Sequence, residues 1–233
     1  MATVFISGVS RGIGLGLAAR YLEAGDRVFG SVRADSAATN DLAERCADQL
    51  TLVRMDVADA ASVDRVAAEV GGHAAAVDTV VCNAAVNPEP VGSRRPLEEI
   101  PDEELLDTFA VNVVGQLRTV RAFLPLLRAS NEAKVAFISS GAGSIERCPD
   151  GGMFPYRVSK ASLNMLARLI GHLVDEDGIG VLAVSPGWVR TDMGGPAATR
   201  TIEEASAEVV QVIAAHTLGS PLFVDPKGKP IPW

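Results

Sequence analysis

A tyrosine and a lysine four residues apart are the first candidates for chemistry in this sequence. Tyr156, one of two tyrosines, and Lys160 lie in FPYRVSKASLNMLARL, which has the pattern of an amphipathic helix. A spacing of four places the phenol and the ammonium on one helical face. A cation beside a phenol favours the phenolate and lowers its pKa from about 10 toward the working range of a proton donor. The alternative is an ordinary solvated pair at a helix start.

A glycine-rich turn follows the first predicted strand and fits two patterns. The pattern G-x-G-x-x-G/A would use Gly14, Gly16 and Ala19. The pattern G-x-x-x-G-x-G would use Gly8, Gly12 and Gly14. We favour the second, because it begins directly after the strand and places Gly12 and Gly14 where a helix N-terminus approaches a phosphate. Gly16 and Ala19 would then serve helix–sheet packing. Glycines at such a corner can also be plain turn formers.

The end of the second predicted strand carries an arginine where a ribose-binding acid is often found. Arg33 directly follows RVFGSV (27–32), and Val32 occupies the place expected for the acid. Arg11 supplies a second cation inside the glycine turn. Guanidinium groups bind phosphate bidentately, so NADP is favoured over NAD. Asp35 keeps NAD possible, and both arginines could also be plain surface charges.

Apolar strands and amphipathic helices alternate along the whole chain. The predicted strands are residues 3–7, 27–32, 50–57, 78–84, 133–140, 179–187 and 221–225, and the predicted helices are 15–25, 41–49, 61–72, 101–129, 156–175 and 202–216. Val, Ile and Phe dominate the strands with little polar alternation, which is typical of parallel strands buried on both faces. The pattern predicts one α/β domain, residues 1–233: a Rossmann-type doubly wound parallel sheet of about seven strands flanked by helices. Pro125 is expected to kink or split the long helix.

The composition disfavours several other classes of protein. A net charge of −8 disfavours nucleic acid and anionic membrane surfaces as partners. No window approaches the roughly 18–20 apolar residues of a transmembrane helix, and MATVFISG lacks the basic segment of a leader. The three histidines lie far apart, so no metal site is expected. Cys46, Cys82 and Cys148 include no C-x-x-C pair, which argues against a disulfide framework and favours a cytoplasmic location.

Seven motifs, in order, resemble the short-chain dehydrogenase/reductase family over nearly the whole chain. They are SGVSRGIG (7–14), MDV (55–57), CNAA (82–85), VNVVG (111–115), ISS (138–140), YRVSK (156–160) and SPGWVRTDM (185–193). YRVSKASL, PGWVRTDMGG and the closing IPW are most similar to the small carbonyl-reductase branch that includes sniffer and the C-factor proteins. The chain departs from the family pattern at Cys82 and Ala85, where asparagine and glycine are usual. The loop between Ser140 and Tyr156 is also longer than is common.

The resemblance implies four catalytic residues. By resemblance, Tyr156 is the general acid/base, and Lys160 both tunes the phenol and binds the nicotinamide ribose. Ser140 would hold and polarise the substrate oxygen, and Asn112 would anchor a water that connects Lys160 to solvent. Taken alone, Ser140 would be a strand-end hydroxyl and Asn112 a cap or a buried amide. Their joint occurrence in the family order carries the catalytic prediction.

The same resemblance implies binding contacts and an assembly. Cofactor contacts are expected at Gly8, Ser10, Arg11, Gly12, Ile13, Gly14, Arg33, Asp56, Val57, Asn83, Ala84, Ala85, Tyr156, Lys160, Pro186, Gly187, Val189 and Thr191. Substrate contacts are expected at Ser140, Met153, Phe154 and Trp188, whereas Cys148 is expected to be an exposed loop thiol. A homodimer or homotetramer built on the helices near 101–129 and 156–175 is also implied.

The expected function is NADP-dependent hydride transfer between nicotinamide and a carbonyl or secondary alcohol substrate. The alternative is a non-catalytic NADP-binding regulatory or signalling protein on the same fold. A methyltransferase on a similar sheet would need an acidic residue at the end of the second strand, and Val32–Arg33 disfavours it. The substrate itself is not predicted, because its pocket depends on the loops at 86–100, 141–155 and 192–202.

Overall fold

Seven parallel strands form one sheet in the computed structural model, which describes residues 1–220 and 222–233. The strands are β1 (Thr3–Ile6), β2 (Arg27–Val32), β3 (Leu50–Arg54), β4 (Thr79–Cys82), β5 (Lys134–Ile138), β6 (Gly180–Val184) and β7 (Phe223–Val224). Their order is β3-β2-β1-β4-β5-β6-β7, and each neighbouring pair is parallel. The strand order reverses between β1 and β4, the position where doubly wound sheets bind ligands. The predicted fold class is confirmed.

Helices cover both faces of the sheet. They are α1 (Gly12–Glu23), α2 (Ala37–Arg45), α3 (Ala60–His73), α4 (Asp102–Phe109), α5 (Gly115–Arg128), α6 (Phe154–Leu173) and α7 (Ile202–Ala215). Buried side chains of α3, α5 and α6 form the core on one face, where Phe5 of β1 stacks on Phe123 of α5 with ring centroids 4.1 Å apart. Buried side chains of α1, α2 and α7 form the core on the other face. Apolar burial on both faces explains the unbroken apolar strands.

The second helix lies four residues earlier than the interval predicted for it, 41–49. It begins after Ser36, whose hydroxyl accepts from the Thr39 amide while the Thr39 hydroxyl accepts from the Ser36 amide. This reciprocal cap fixes the helix start. At the other end, the amides of Gln49 and Leu50 both donate to the Cys46 carbonyl, so residues 46–49 form a turn. The predicted end was wrong because this turn precedes β3 directly.

The long helix predicted for 101–129 is interrupted, but not at Pro125. A π-helical turn, Ala110–Val114, separates α4 from α5, and the Gly115 amide donates to the Ala110 carbonyl across it. Pro125 lies inside α5, which continues to Arg128. Pro125 was predicted to kink or split the helix; the split is wrong, and the kink stays a prediction.

Most predicted strands extend too far at their carboxyl ends. Residues 55–57, 83–84, 139–140 and 185–187 have left the sheet in the structure and follow β3, β4, β5 and β6. The predicted strand 221–225 is represented by β7, and Pro221 lies outside the described residues. Over residues 1–220 and 222–233, no helix is long and apolar enough to cross a membrane, and no cluster of His, Cys, Asp and Glu is placed to hold a metal ion.

Candidate active site

A cavity of about 940 Å³ follows the carboxyl edge of the sheet. Every predicted cofactor contact lines it: Gly8, Ser10, Arg11, Gly12, Ile13, Gly14, Arg33, Asp56, Val57, Asn83, Ala84, Ala85, Tyr156, Lys160, Pro186, Gly187, Val189 and Thr191. Of the remaining predicted residues, Ser140, Met153 and Trp188 also line the cavity, and Asn112 and Phe154 do not. The segments after six strands thus converge on one space, as expected of a doubly wound sheet.

Positive φ angles at two glycines shape the turn between β1 and α1. Gly8 has φ +77° and Gly12 has φ +60°, a region that favours glycine. A Cβ on Gly14 would overlap the Gly8 carbonyl oxygen, so the turn folds back on its own backbone there. This geometry matches the pattern Gly8, Gly12, Gly14. A Cβ on Gly16 would lie 2.6 Å from Ile202 Cγ2, so Gly16 serves the packing of α1 on α7 rather than the predicted helix–sheet packing.

Side chains at the end of β4 hold this turn in place. Asn83 Nδ2 donates to the carbonyls of Ser7 and Gly8, both at 2.9 Å. The Ser7 hydroxyl accepts from the backbone amides of Asn83 and Ala84 at 2.9 and 3.1 Å. Asn83 therefore lines the cavity and also fixes the turn. Ser7 was not among the predicted site residues, although its position at the end of a strand beside the glycines was a usable signal.

The N-terminus of α1 points its unpaired backbone amides at the cavity. The N-cap residue, Arg11, makes no side-chain cap, and the first turn of the helix contains no acidic residue. The first amides of a helix have no intrahelical acceptor and carry a partial positive charge. Gly12, Ile13 and Gly14 all line the cavity. The site therefore suits an anionic group such as a phosphate.

The part of the cavity that is lined by the segment after β2 contains a cation, Arg33. The acid closest to it in sequence, Asp35, does not line the cavity. Arg33 is exposed and lines the cavity, and it forms no ion pair with any described residue. Asp35, the acid that kept NAD possible, pairs with Arg54 at 2.5 Å and does not line the cavity. Ser31, missed in the sequence analysis, also lines this part of the cavity, and its hydroxyl accepts from the Gly8 amide at 3.0 Å.

Three of the four residues predicted to perform catalysis, Ser140, Tyr156 and Lys160, line the cavity. Ser140 follows β5, and its Oγ accepts from the Ala142 amide at 3.1 Å and also hydrogen-bonds the Tyr156 side chain. Lys160 is 2% exposed, and its Nζ donates to the Ile138 carbonyl at 2.8 Å. The same Nζ lies 5.6 Å from the centroid of the Tyr156 ring. The two α6 side chains therefore share a helical face that points inward.

Burial shifts the pKa values of Tyr156 and Lys160 in opposite directions. It lowers the pKa of Lys160 from its ordinary 10.5 to about 7, because desolvation disfavours the ammonium. It raises the pKa of Tyr156 above its ordinary value, and a hydrogen bond with Ser140 offsets this only in part. The direction for Tyr156 is opposite to the one expected from Lys160, since desolvation of the phenolate is the larger effect. Tyr156 is therefore protonated at neutral pH.

Both N–H groups of the Asn112 side chain are used in structural hydrogen bonds. Its Nδ2 donates to the Val86 carbonyl at 2.9 Å and to Ser159 Oγ at 3.0 Å, and its Oδ1 accepts from the Val86 amide at 2.8 Å. The Ser159 hydroxyl in turn donates to the Tyr156 carbonyl at 2.7 Å. Asn112 is fully buried and lies away from the cavity surface. It connects the segment after β4 to α6, and its amide has no free N–H for the predicted water.

Gln116 supports the π-helical turn and was missed in the sequence analysis. Its Nε2 donates to the Val111 carbonyl at 3.0 Å and to the Ala84 carbonyl at 2.6 Å. Val111 and Ala84 both line the cavity, and Gln116 itself is 1% exposed. A buried glutamine in an otherwise apolar helix face was the available signal. Gln116 links the irregular part of the helix to the end of β4.

Large apolar side chains also line the cavity. Val91, Trp188 and Met193 line it and are 40, 43 and 37% exposed. Met153 also lines it and, with φ +52°, is the non-glycine residue that has a positive φ within the described residues. Phe154, predicted as a substrate contact, begins α6 and lies off the cavity. The exposed Cys148 donates to the Asp150 carbonyl, as a loop thiol.

The comparison with known families agrees with this geometry. The profile of the short chain dehydrogenase family matches residues 2–201. The chain belongs to this family of oxidoreductases. C-signal of Myxococcus xanthus is 35% identical over 158 residues, which are 67% of this chain and 93% of that protein.

Two solved structures are similar over the full length of this short-chain dehydrogenase. The carbonyl reductase Sniffer of D. melanogaster is 28% identical, with a TM-score of 0.94 and full coverage of both chains. The NADPH-bound carbonyl reductase from chicken fatty liver is 28% identical, with a TM-score of 0.91 and coverage of 100% of this chain and 99% of that one. These likenesses and the one to C-signal confirm the predicted branch of the family.

Proposed function

We propose that the chain is an NADP-dependent carbonyl reductase in which Tyr156 is the general acid. The observation that carries the proposal is the convergence of Ser140, Tyr156 and Lys160 on the cavity that Arg33 and the α1 N-terminus also line. When bound, the nicotinamide supplies the hydride. A hydride to the carbonyl carbon and a proton to its oxygen yield the alcohol, so the protein must provide an orienting donor and a proton.

The proton can come from Tyr156. Burial keeps its phenol protonated at neutral pH, which is the form a reduction requires. The Ser140 hydroxyl, which hydrogen-bonds the Tyr156 side chain in the structure, can turn its proton to the carbonyl oxygen of a substrate and orient it. Lys160 uses one N–H on the Ile138 carbonyl, which leaves further donors for the cofactor's ribose. An ammonium beside the phenolate that forms would stabilise it and so assist the proton transfer.

The preference for NADP rests on the state of two side chains at the end of β2. The exposed Arg33 guanidinium faces the cavity, and a 2′-phosphate suits it bidentately. Asp35 is paired with Arg54 and lies off the cavity, so it is poorly placed for ribose hydroxyls. The chicken-liver carbonyl reductase has NADPH bound, which supports the same choice.

The large apolar side chains that line the cavity support an uncharged carbonyl compound with an apolar body as the substrate. Val91, Trp188 and Met193 expose large apolar surfaces around one opening, and grouped exposed apolar surface marks a binding site. The cations Arg11 and Arg33 line the portion of the cavity assigned to the cofactor. An aromatic ketone or a long-chain aldehyde would therefore bind better than a carboxylated aldehyde.

The test is NADPH oxidation with a panel of aldehydes and ketones, including matched neutral and carboxylated pairs. Tyr156→Phe is expected to lower kcat/KM by about 10²–10⁴-fold, the usual contribution of a general acid, while the Kd for NADPH stays within about 3-fold. Tyr21→Phe is the matched control, because the Tyr21 hydroxyl is buried and has no hydrogen-bond partner. Unchanged turnover in Tyr156→Phe would refute the assigned role.

The second candidate is a non-catalytic NADP-binding protein that acts in signalling. It is favoured by the similarity to the protein named C-signal. This candidate expects NADPH binding without turnover of any carbonyl compound, and a biological effect that survives Tyr156→Phe. Reductase activity that disappears in Tyr156→Phe, together with loss of the biological effect, would exclude it.

We further propose that residues 1–233 act as one domain within a cytoplasmic homo-oligomer. One sheet includes all seven strands, and the three cysteines are free. Met165, Leu169 and Leu173 of α6 are 59, 53 and 80% exposed at intervals of four residues, so they form one apolar stripe on the helix surface. Such a stripe fits burial against a second copy.

A further inference from the structure

An ion pair crosses the rim of the cavity between two distant segments. Arg11 Nη1 lies 2.8 Å from Asp192 Oδ2, and both side chains are 74% exposed. Arg11 belongs to the turn before α1 and Asp192 to the loop after β6, so the pair joins residues 181 positions apart. Both residues line the cavity. The carboxylate therefore sits where the cavity is otherwise prepared for an anion.

The loop that carries Asp192 is braced by its own hydrogen bonds. The Gly194 amide donates to Thr191 Oγ1 at 3.0 Å, and the Gly195 amide donates to the Thr191 carbonyl at 2.8 Å. A Cβ on Gly12 would lie 3.4 Å from Thr191 Cγ2, so this loop also packs against the glycine turn. The backbone of this loop therefore holds the Asp192 side chain in position beside Arg11.

Arg11 stands at an electropositive position that has no other acid. It is the N-cap residue of α1, its backbone is extended, and neither its side chain nor any acid of the first turn caps the helix. A dinucleotide phosphate at this N-terminus would meet the α1 amides and the Arg11 guanidinium together. In the structure, the Asp192 carboxylate holds that guanidinium.

We propose that Asp192 competes with a cofactor phosphate for Arg11 and thereby sets the affinity for the dinucleotide. An incoming phosphate takes the guanidinium from the carboxylate, and the remaining Asp192 charge repels the phosphate nearby. The residue therefore weakens cofactor binding and speeds cofactor release. This inference rests on the proposed function, because it requires a nicotinamide dinucleotide in the cavity. An exposed ion pair and one repulsive charge together correspond to roughly 3–10-fold in Kd.

The test measures NADPH affinity and release without turnover. Asp192→Asn is expected to lower the Kd, measured by calorimetry at low salt, by about 3–10-fold and to slow NADPH dissociation in stopped-flow displacement. Asp192→Ser should behave in the same way. Glu23→Gln removes an equal charge from the opposite end of α1, where Glu23 pairs with Arg20, and should change the Kd by less than about 2-fold. In an Arg11→Gln background, Asp192→Asn should lower the Kd by clearly less than in the wild-type background, because only the repulsive charge is then removed.

A comparison of NADPH with NADH identifies which phosphate of the cofactor competes with Asp192 for Arg11. A larger gain for NADPH than for NADH assigns the competition to the 2′-phosphate, and equal gains assign it to the shared pyrophosphate. An unchanged or higher Kd in both Asp192 variants overturns the proposal, as does a gain of undiminished size in the Arg11→Gln background. If wild type binds NADPH but shows these results, only this inference fails. If neither dinucleotide binds wild type, the proposed function fails with it.

Discussion

Lys160 is a buried amine whose environment favours its neutral form. Its single described hydrogen bond goes to the Ile138 carbonyl, and burial lowers its pKa to about 7. Burial also keeps the neighbouring Tyr156 phenol protonated. Both groups thus resist charge in the protein alone, and a charge that develops on one would be stabilised by an opposite charge on the other. This arrangement suits a pair that exchanges protons during a reaction.

Replacing Lys160 should stabilise the cofactor-free fold at low pH. The folded-state pKa lies below the ordinary 10.5, so between about pH 7 and pH 10.5 the unfolded chain binds more protons and wild-type stability rises with pH. Below about pH 7 the fold bears the full cost of the buried ammonium. Lys160→Met removes this cost. The shift from 10.5 to about 7 corresponds to roughly 5 kcal/mol at about 1.4 kcal/mol per pKa unit, so at about 2–4 °C per kcal/mol the substitution should raise Tm at pH 6 by roughly 10 °C or more.

The measurement is thermal unfolding followed by circular dichroism at pH 6, 8 and 9.5. The advantage of Lys160→Met should shrink as the pH rises. Lys227→Met, at an exposed lysine, serves as the control and should show no such trend. A Tm difference that is independent of pH would contradict the assigned burial cost.

At the scale of the elements, the sequence predicted the strand cores and missed what tertiary contacts decide. RVFGSV was predicted with its observed bounds because a run of apolar residues between charges is a local signal. The π-helical turn has no such signal, because Asn112 and Gln116 sustain it through hydrogen bonds to the segment after β4. The strand ends were overextended for the same reason. Their last residues face the cavity, where the chain must leave the sheet to form a site.

The candidate site was predicted well where a motif is contiguous and poorly where distant segments meet. Tyr156 and Lys160 share one helix, so their spacing sufficed to place them together. Asp192 and Arg11 are 181 residues apart, and no local pattern connects them. Phe154 was placed beside the substrate because it precedes Tyr156, but the positive φ of Met153 directs Met153 rather than Phe154 to the cavity. Sequence proximity does not determine the direction of a side chain at a helix start.

Two helical glycines should respond oppositely to substitution by alanine. In α1, a Cβ on Gly16 would lie 2.6 Å from Ile202 Cγ2 and 3.0 Å from Ser206 Oγ. Gly16→Ala should therefore force α1 and α7 apart and lower the free energy of unfolding by about 1–2 kcal/mol, despite the better helix propensity. In α3, a Cβ on Gly72 would meet nothing within 4 Å. Gly72→Ala should therefore raise the free energy of unfolding by up to about 1 kcal/mol.

Urea unfolding of both variants checks this contrast. Removing the obstructing side chain in Gly16→Ala/Ile202→Ala should make the two substitutions less than additive, because Ile202 is the close neighbour. Equal stabilisation by Gly16→Ala and Gly72→Ala would show that α1 and α7 adjust without cost. The close approach of the two helices would then have no role in holding the glycine turn.

At the scale of the whole molecule, the acidic net charge is unevenly distributed. The formal charge is −8, yet three arginines, Arg11, Arg33 and Arg190, line the cavity together with only two carboxylates, Asp56 and Asp192. A local group of cations on an acidic protein directs an anionic ligand to one place, because exposed charges elsewhere are screened within about 8–10 Å at physiological salt. A net negative charge disfavours polyanions as partners, and the arginines at the cavity favour an anionic group such as a phosphate.

The apolar stripe on α6 should determine the oligomeric state. Leu169 lies at its centre, between Met165 and Leu173, and is 53% exposed. If a second copy covers the stripe, wild type sediments as a dimer or tetramer, and Leu169→Glu shifts it toward the monomer by burying an unpaired charge. Leu218→Glu, at a leucine 54% exposed beyond α7, is the matched control and should leave the assembly intact. Analytical ultracentrifugation across a concentration series measures this. A wild type that remains monomeric at high concentration, or equal effects of the two substitutions, would place the interface elsewhere.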